Sequence, residues 1–223
     1  KVSEIFVIDD ASPDNSYLTA IGYKEHTKLH NLKIMRNEKN QGYGGNQKIG
    51  YKYAMKKDYD IIVMLHGDAQ YAPENIPDLI KPLEEGKADF VFGSRFLENP
   101  LKGGMPIWRF IGNKILTIIE NNILGLTLTE YHSGFRAFTI NSLKKINLKK
   151  LSNNYYFDQE IIIMFKIHKL KIGEIPIPTH YGKESHSPTL KQTFEYFVNT
   201  ITALIEYKLS LMKIIKSDKY ERI

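Results

Sequence analysis

Short apolar runs alternate with longer stretches of helical patterning from residue 4 to residue 93, and this alternation constrains the fold more than any other feature of the sequence. EIFVI (4–8), LKIM (32–35), DIIVML (60–65) and DFVFG (89–93) read as strands. Between them, residues 15–29, 45–56 and 73–85 carry helical spacing. Strands separated by helices form βαβ units, whose sheet is mainly parallel and covered on both faces. Asn40, Gly42, Gly44 and Gly45 punctuate one helix entry, and Pro73 stands where a first-turn proline is tolerated.

The pattern becomes less regular after Arg95. A loop containing Gly103 and Gly104 precedes a helix predicted over 106–124, then come YHSGFRAF, a helix over 157–170 and a strand-like run over 172–178. Residues 190–215 place Phe194, Phe197, Val198, Ile201, Leu204, Ile205, Leu209 and Met212 at helical spacing, which makes an amphipathic helix. Packing on its own domain is the ordinary fate of such a face. Membrane-interface docking and a homo-oligomer formed through this helix are the alternatives.

With 223 residues, 42% of them hydrophobic, the chain can bury one substantial core. We therefore expect a single domain over 1–223, with a ligand-binding half at 1–95, a second half at 96–186 and the amphipathic helix at 187–216. There is no cysteine, so disulfides, thiolate metal sites and thiol nucleophiles are excluded. A formal net charge of +6 favours anionic partners. The lysines are scattered and no aromatic-basic recognition motif is present, which argues against nucleic acid. No window approaches the roughly 18 consecutive apolar residues of a membrane-spanning helix.

Ligands of open α/β sheets bind beyond the carboxyl ends of the strands. The first strand ends in VIDDASPDNS, where Asp9 and Asp10 can accept hydrogen bonds from a base or ribose, although the same residues also make an ordinary turn and helix cap. The third ends in MLHGDAQY. His66, Asp68 and Gln70 alternate there, so imidazole, carboxylate and amide can point the same way toward one divalent ion, Mn²⁺ or Mg²⁺. Such an ion would bridge the phosphates of a nucleotide diphosphate. The glycines of NQGYGGNQKIGYKYA do not have the GxGxxG spacing and follow the second strand, not the first. They are expected to let backbone approach a nucleotide or to pack a helix closely on the sheet.

Taken in order, VIDDASPDNS, NQGYGGNQKIGYKYA, HGDAQY, GSRF, YHSGFRAF, FDQEI and HYGKESHS resemble the motifs of the family 2 glycosyltransferases, in the branch of polyprenyl-phosphate (dolichyl-phosphate) mannosyl- and glucosyltransferases. The resemblance implies a GT-A fold and inverting transfer of a hexose from a UDP- or GDP-sugar to a polyprenyl phosphate, with the protein peripheral at the cytoplasmic face of a membrane. It assigns donor contacts to Ile8, Asp10, Gly42 and Arg95, and to His180, Tyr181, Lys183 and His186 of a loop that closes over the donor. It assigns acceptor contacts to Ser133 and Arg136, and a carboxylate near the reacting centre to Asp158 or Glu160. The family's third strand usually ends in DxD. Here His66 replaces the first Asp, so Asp68 and Gln70 are the firmer metal ligands.

Family members open with a strand ending in a Pro-x-Tyr-Asn-Glu type segment, which these residues do not include. The expectation is a natural protein longer by roughly 25 to 35 residues, one strand and helix. Two further readings stay open. A sugar-phosphate nucleotidyltransferase would need a Gly-rich first loop with Arg and Lys, where this chain has DDASPDNS. A degenerate domain would bind without catalysis, and cooperative binding of Mn²⁺ with a nucleoside diphosphate would distinguish it.

Overall fold

A computed structural model describes residues 2–178 and 190–220. Its strands hydrogen-bond in two groups. In the first, β1 (Ile5–Asp9) pairs parallel to β2 (Leu32–Arg36). In the second, the order is β3 (Ile61–Met64), β5 (Arg136–Thr139), β4 (Phe90–Ser94), β6 (Ile172–Pro176). β4 and β6 are parallel, whereas β5 runs antiparallel to both β3 and β4.

The predicted strands all form, and in the larger sheet β3, β4 and β6 share one direction, with helices on both faces and only β5 running against them. The addition is β5, which lies in the YHSGFRAF motif and is not among the predicted strands. Four residues of RAFT carry too short an alternation to declare a strand, and β5 is fixed instead by two flanking ladders.

The helices are α1 (Ser16–Thr27), α2 (Tyr43–Lys57), α3 (Ile76–Glu84), α4 (Ile107–Leu124), the short α5 (Ile140–Leu143), α6 (Phe157–Ile167) and α7 (Leu190–Leu211). α4 ends where Gly125 takes the left-handed conformation at φ 61°, which spares the Cβ penalty at a helix terminus. The helix expected from Pro73 begins with a 3₁₀ turn over Pro73–Asn75 before α3 proper.

The strands of the larger sheet send alternate residues to opposite faces, as the period of two requires. Phe90, Phe92 and Phe138 enter one core with Phe157, Phe165 and Leu204, while Val91, Ala137 and Phe135 enter another with Leu79 and Tyr71. Each phenylalanine, leucine and valine among them contributes about 1.5–3 kcal/mol on leaving water. Residues 157–165 of α6 are buried throughout, so this helix is apolar on nearly every side and lies inside the molecule. Asp158, Gln159 and Glu160 are therefore interior residues. The sequence pattern, which places carboxylates on helix surfaces by default, does not show this.

Candidate active site

The carboxyl ends of β1 and β3, the start of α2 and the start of α6 meet at one place, and the glycines explain how. A Cβ on Gly44 would lie 2.5 Å from Phe157 Cβ and 2.7 Å from Ser152 O, and one on Gly42 would lie 2.7 Å from Asn153 O. The backbone amides of Gly44 and Gly45 both donate to Asn153 O, at 2.7 and 3.2 Å. The glycine run thus seats the start of α2 against the lead-in to α6. Of the two roles expected for these glycines, close packing is the one the geometry displays.

That seating delivers Tyr43 to the centre of the site. Its hydroxyl donates to Asp158 Oδ2 at 2.8 Å and lies 3.1 Å from His66 Nε2. One turn along α2, Gln47 Nε2 donates to Asp158 Oδ1 at 3.3 Å. Arg136 Nη1 stands 3.6 Å from Asp158 Oδ1. Burial, together with the Asp158 charge, pushes the Tyr43 hydroxyl well above its usual range, so it remains a donor. Because that single proton goes to Asp158, His66 Nε2 carries a proton toward the Tyr43 oxygen, leaving the imidazole lone pair on Nδ1. Burial lowers the His66 pKa, against the opposing pull of Asp158 and Asp68, and keeps the ring neutral. A Cβ on Gly134 would fall 2.4 Å from the His66 ring, so glycine is required where the YHSGFRAF segment passes it.

His66, Asp68 and Gln70 are half-buried while Gly67 and Ala69 are exposed, but the segment is not the extended run expected: it turns at Gly67 and Asp68, with Ala69 in the left-handed region at φ 55°. Asp68 Oδ1 accepts from the Gln70 amide at 3.1 Å. Among the described residues no three His, Asp or Glu side chains converge, so they offer no all-protein metal cage. One half-buried carboxylate does fit a hard divalent ion whose remaining ligands are diphosphate oxygens and water. His66, with Nε2 committed to Tyr43, has only Nδ1 for such a role.

Other expected site residues have structural partners. Asp10 Oδ1 accepts from Asn37 Nδ2 at 2.7 Å and from the Gln41 amide at 2.8 Å, and its Oδ2 accepts from the Gly42 amide at 3.1 Å. The carboxylate therefore clamps the turn in which Gly42 adopts φ 79°. Ile8 is half-buried, with Gly50 of α2 beside its side chain and its carbonyl accepting from Asn46. Arg95, expected at the donor, is 1% exposed and forms a buried ion pair with Glu130, with Nε 2.7 Å from Oε1 and the Arg95 amide 2.9 Å from Oε2.

Arg136 and Ser133, expected to hold the acceptor, are fully buried. The Arg136 guanidinium donates to the carbonyls of Ser133, Asp158 and Tyr131 at 2.8–2.9 Å. In this geometry it fastens β5 to α6 and faces no solvent. Glu160, the second catalytic candidate, has no exposure; it accepts from the Ser152 amide at 2.6 Å and from Lys219 Nζ at 2.7 Å. Its role here is to bind the tail segment to α6. His180, Tyr181, Lys183 and His186 lie outside the described residues.

Tyr43, Gln47 and Glu130 are among the members of these networks that the sequence candidates do not include. For the first two a signal existed: positions four apart on a helix that follows a glycine run at a strand end share one face. Glu130 carried none, because its pairing with Arg95 spans 35 positions.

Residues 1–147 match the family model described as Glycosyl transferase family 2. The chain is 33% identical over 192 residues to the UDP-N-acetylglucosamine–dolichyl-phosphate N-acetylglucosaminyltransferase of Methanococcus voltae, covering 81% of this chain and 76% of that protein. It is 28% identical to the undecaprenyl-phosphate mannosyltransferase of Micrococcus luteus, covering 78% and 71%. Glucosyl-3-phosphoglycerate synthase from Mycobacterium tuberculosis, in complex with Mn²⁺, uridine diphosphate and glucosyl-3-phosphoglycerate, superposes with a TM-score of 0.66 at 15% identity, covering 97% of this chain and 71% of that one. At that identity the likeness speaks for the fold alone.

Proposed function

The chain belongs to glycosyl transferase family 2, and from that premise we propose that it moves a hexose from a UDP- or GDP-sugar to a polyprenyl phosphate, with inversion at the anomeric carbon. The similarity to enzymes named for dolichyl- and undecaprenyl-phosphate acceptors supports the acceptor class. The first of them is named for a UDP-sugar, which supports uracil as the base. Family membership sets aside the nucleotidyltransferase reading.

The observation that carries the acceptor reading is the state of Asp158. A hydroxyl acceptor must lose a proton as it attacks, so it needs a general base. Asp158, the carboxylate best placed for that task, already receives hydrogen bonds from Tyr43 and Gln47 and faces the Arg136 cation. A phosphate oxygen arrives already ionised. It attacks the anomeric carbon in line, the bond from that carbon to the diphosphate oxygen breaks, and the electron pair leaves with the nucleoside diphosphate. Tyr43, His66 and Asp158 then act as a rigid wall that orients the reactants. A divalent cation, Mn²⁺ or Mg²⁺, held by Asp68 with Gln70 beside it would offset the charge of the leaving diphosphate.

The test supplies UDP-N-acetylglucosamine or GDP-mannose with Mn²⁺ and offers, in parallel, a short-chain prenyl phosphate and the corresponding prenyl alcohol. Product from the phosphate alone is expected. Comparable transfer to the alcohol would overturn the base-free reading.

A further inference from the structure

α7 packs against α4, burying Thr200, Ala203, Leu204 and Tyr207, and one imidazole joins the two helices. His132 Nε2 lies 3.3 Å from Glu120 Oε2 on α4, and His132 Nδ1 lies 2.9 Å from the Tyr196 hydroxyl on α7. The Tyr196 ring meets the imidazole edge to face, with centroids 5.6 Å apart. The carboxylate has no exposure and the imidazole only 6%.

As a source of stability this join is poor. Neither Glu120 oxygen has a well-aligned hydrogen bond, and the Thr117 hydroxyl, one turn earlier on the same face of α4, has no hydrogen-bond partner. Burial pushes the Glu120 carboxyl above its usual range, against the pull of His132. A well-packed apolar pair would serve stability as well or better, because desolvating two ionisable groups costs more than a misaligned contact returns. What the polar join supplies is direction: it fixes where residue 132 points.

That direction matters because residues 131–134 lie ahead of β5 and hang on side chains. The Tyr131 hydroxyl donates to Asn121 of α4 at 2.8 Å, the Gly134 amide donates to the Tyr71 hydroxyl at 3.2 Å, and Arg136 draws in the carbonyls of Tyr131 and Ser133. The other side of this segment backs the site. Gly134 abuts the His66 ring, and Arg136 faces Asp158. A displaced His132 would therefore shift the groups that hold His66 and Asp158 beside Tyr43.

We infer that His132 is a positioning residue for the transfer, oriented by Glu120 and Tyr196 so that the segment it belongs to keeps His66 and Asp158 in place beside Tyr43. This rests on the transfer proposed above and names further residues that serve it.

The test sets turnover against stability. Glu120→Leu combined with His132→Leu removes both members of the buried pair, so neither is left facing an apolar replacement, and the melting temperature should stay close to that of the parent. For transfer to a short-chain prenyl phosphate, kcat should fall about tenfold with donor KM unchanged, as small misplacements of reacting groups do. Glu120→Gln, whose carboxamide still hydrogen-bonds an imidazole, should keep kcat within about twofold. Tyr196→Phe removes one hydroxyl and should lower kcat about threefold. A paired variant with a lowered melting temperature and parental kcat would overturn the inference. If that variant does not fold, Tyr196→Phe decides, and parental kcat there overturns it.

The His66 ring signals in NMR spectra of histidine-labelled protein, identified by their loss in His66→Gln, give a readout that needs no turnover. They should move in the paired variant and in Tyr196→Phe, and hold in Glu120→Gln. Absence of transfer by the parent enzyme would remove the proposed function and leave the inference to this spectrum, where unmoved His66 signals would overturn it.

Discussion

Tyr43 holds the centre of the site through one oxygen, at 2.8 Å from Asp158 and 3.1 Å from His66. Tyr43→Phe keeps the ring and removes that junction. We expect kcat to fall by at least about tenfold if the hydroxyl's bonds position the reactants, with donor KM little changed and a stability loss of about 1 kcal/mol. Steady-state kinetics and a denaturant titration would check this, and an unchanged kcat would remove Tyr43 from the mechanism. Asp68→Asn removes charge without volume. It should eliminate the Mn²⁺-dependent part of nucleotide binding while the fold persists, as read from the melting-temperature increment that UDP gives with and without the metal. An undiminished increment would move the metal elsewhere. Asp68 could be read from its place after an apolar strand, whereas for Tyr43 the sequence offers only a shared helix face with Gln47 and not the contact with a residue 115 positions away.

At the scale of elements, the join between α2 and the lead-in to α6 decides whether the site assembles at all. Gly44→Ala would drive a methyl group to 2.5 Å from Phe157 Cβ and 2.7 Å from the Ser152 carbonyl. Backbone cannot yield as a flexible side-chain tip can, so a loss of about 1–3 kcal/mol is expected, seen as a lower denaturation midpoint at constant slope. Activity should fall further than stability, since Tyr43 moves with the helix. The glycine run was visible in the sequence as a constraint on backbone approach, but its partner was not. The strand β5 shows the opposite limit. Its four residues carry no strand signal of their own, and it exists because β3 and β4 each offer an edge.

For the molecule as a whole, the buried ion pair of Arg95 and Glu130 secures the end of β4 to the segment after α4. Arg95→Leu leaves Glu130 buried without its cation and should cost about 3–5 kcal/mol. A variant of normal stability with a raised donor KM would return Arg95 to the donor site. The pH dependence of stability should carry the mark of His66. Burial places its folded pKa below the ordinary 6.5, so the unfolded chain binds the proton more readily and stability falls as pH drops through 6.5 toward the folded value. His66→Gln should flatten that acid limb in denaturation midpoints measured on either side of pH 6.5; an identical limb would show that other groups carry it.

The sequence by itself determined the alternation of strands and helices, the polar strand ends, the family, and the apolar spacing of the last helix, because each is written in local periodicity or ordered motifs. Only the tertiary structure decided that Arg95, Arg136 and Glu160 are interior struts and that Tyr43 and Gln47 belong to the site. Burial and charge pairing are properties of residues distant in the chain, and packing α6 inside the molecule changes what a carboxylate or guanidinium can reach.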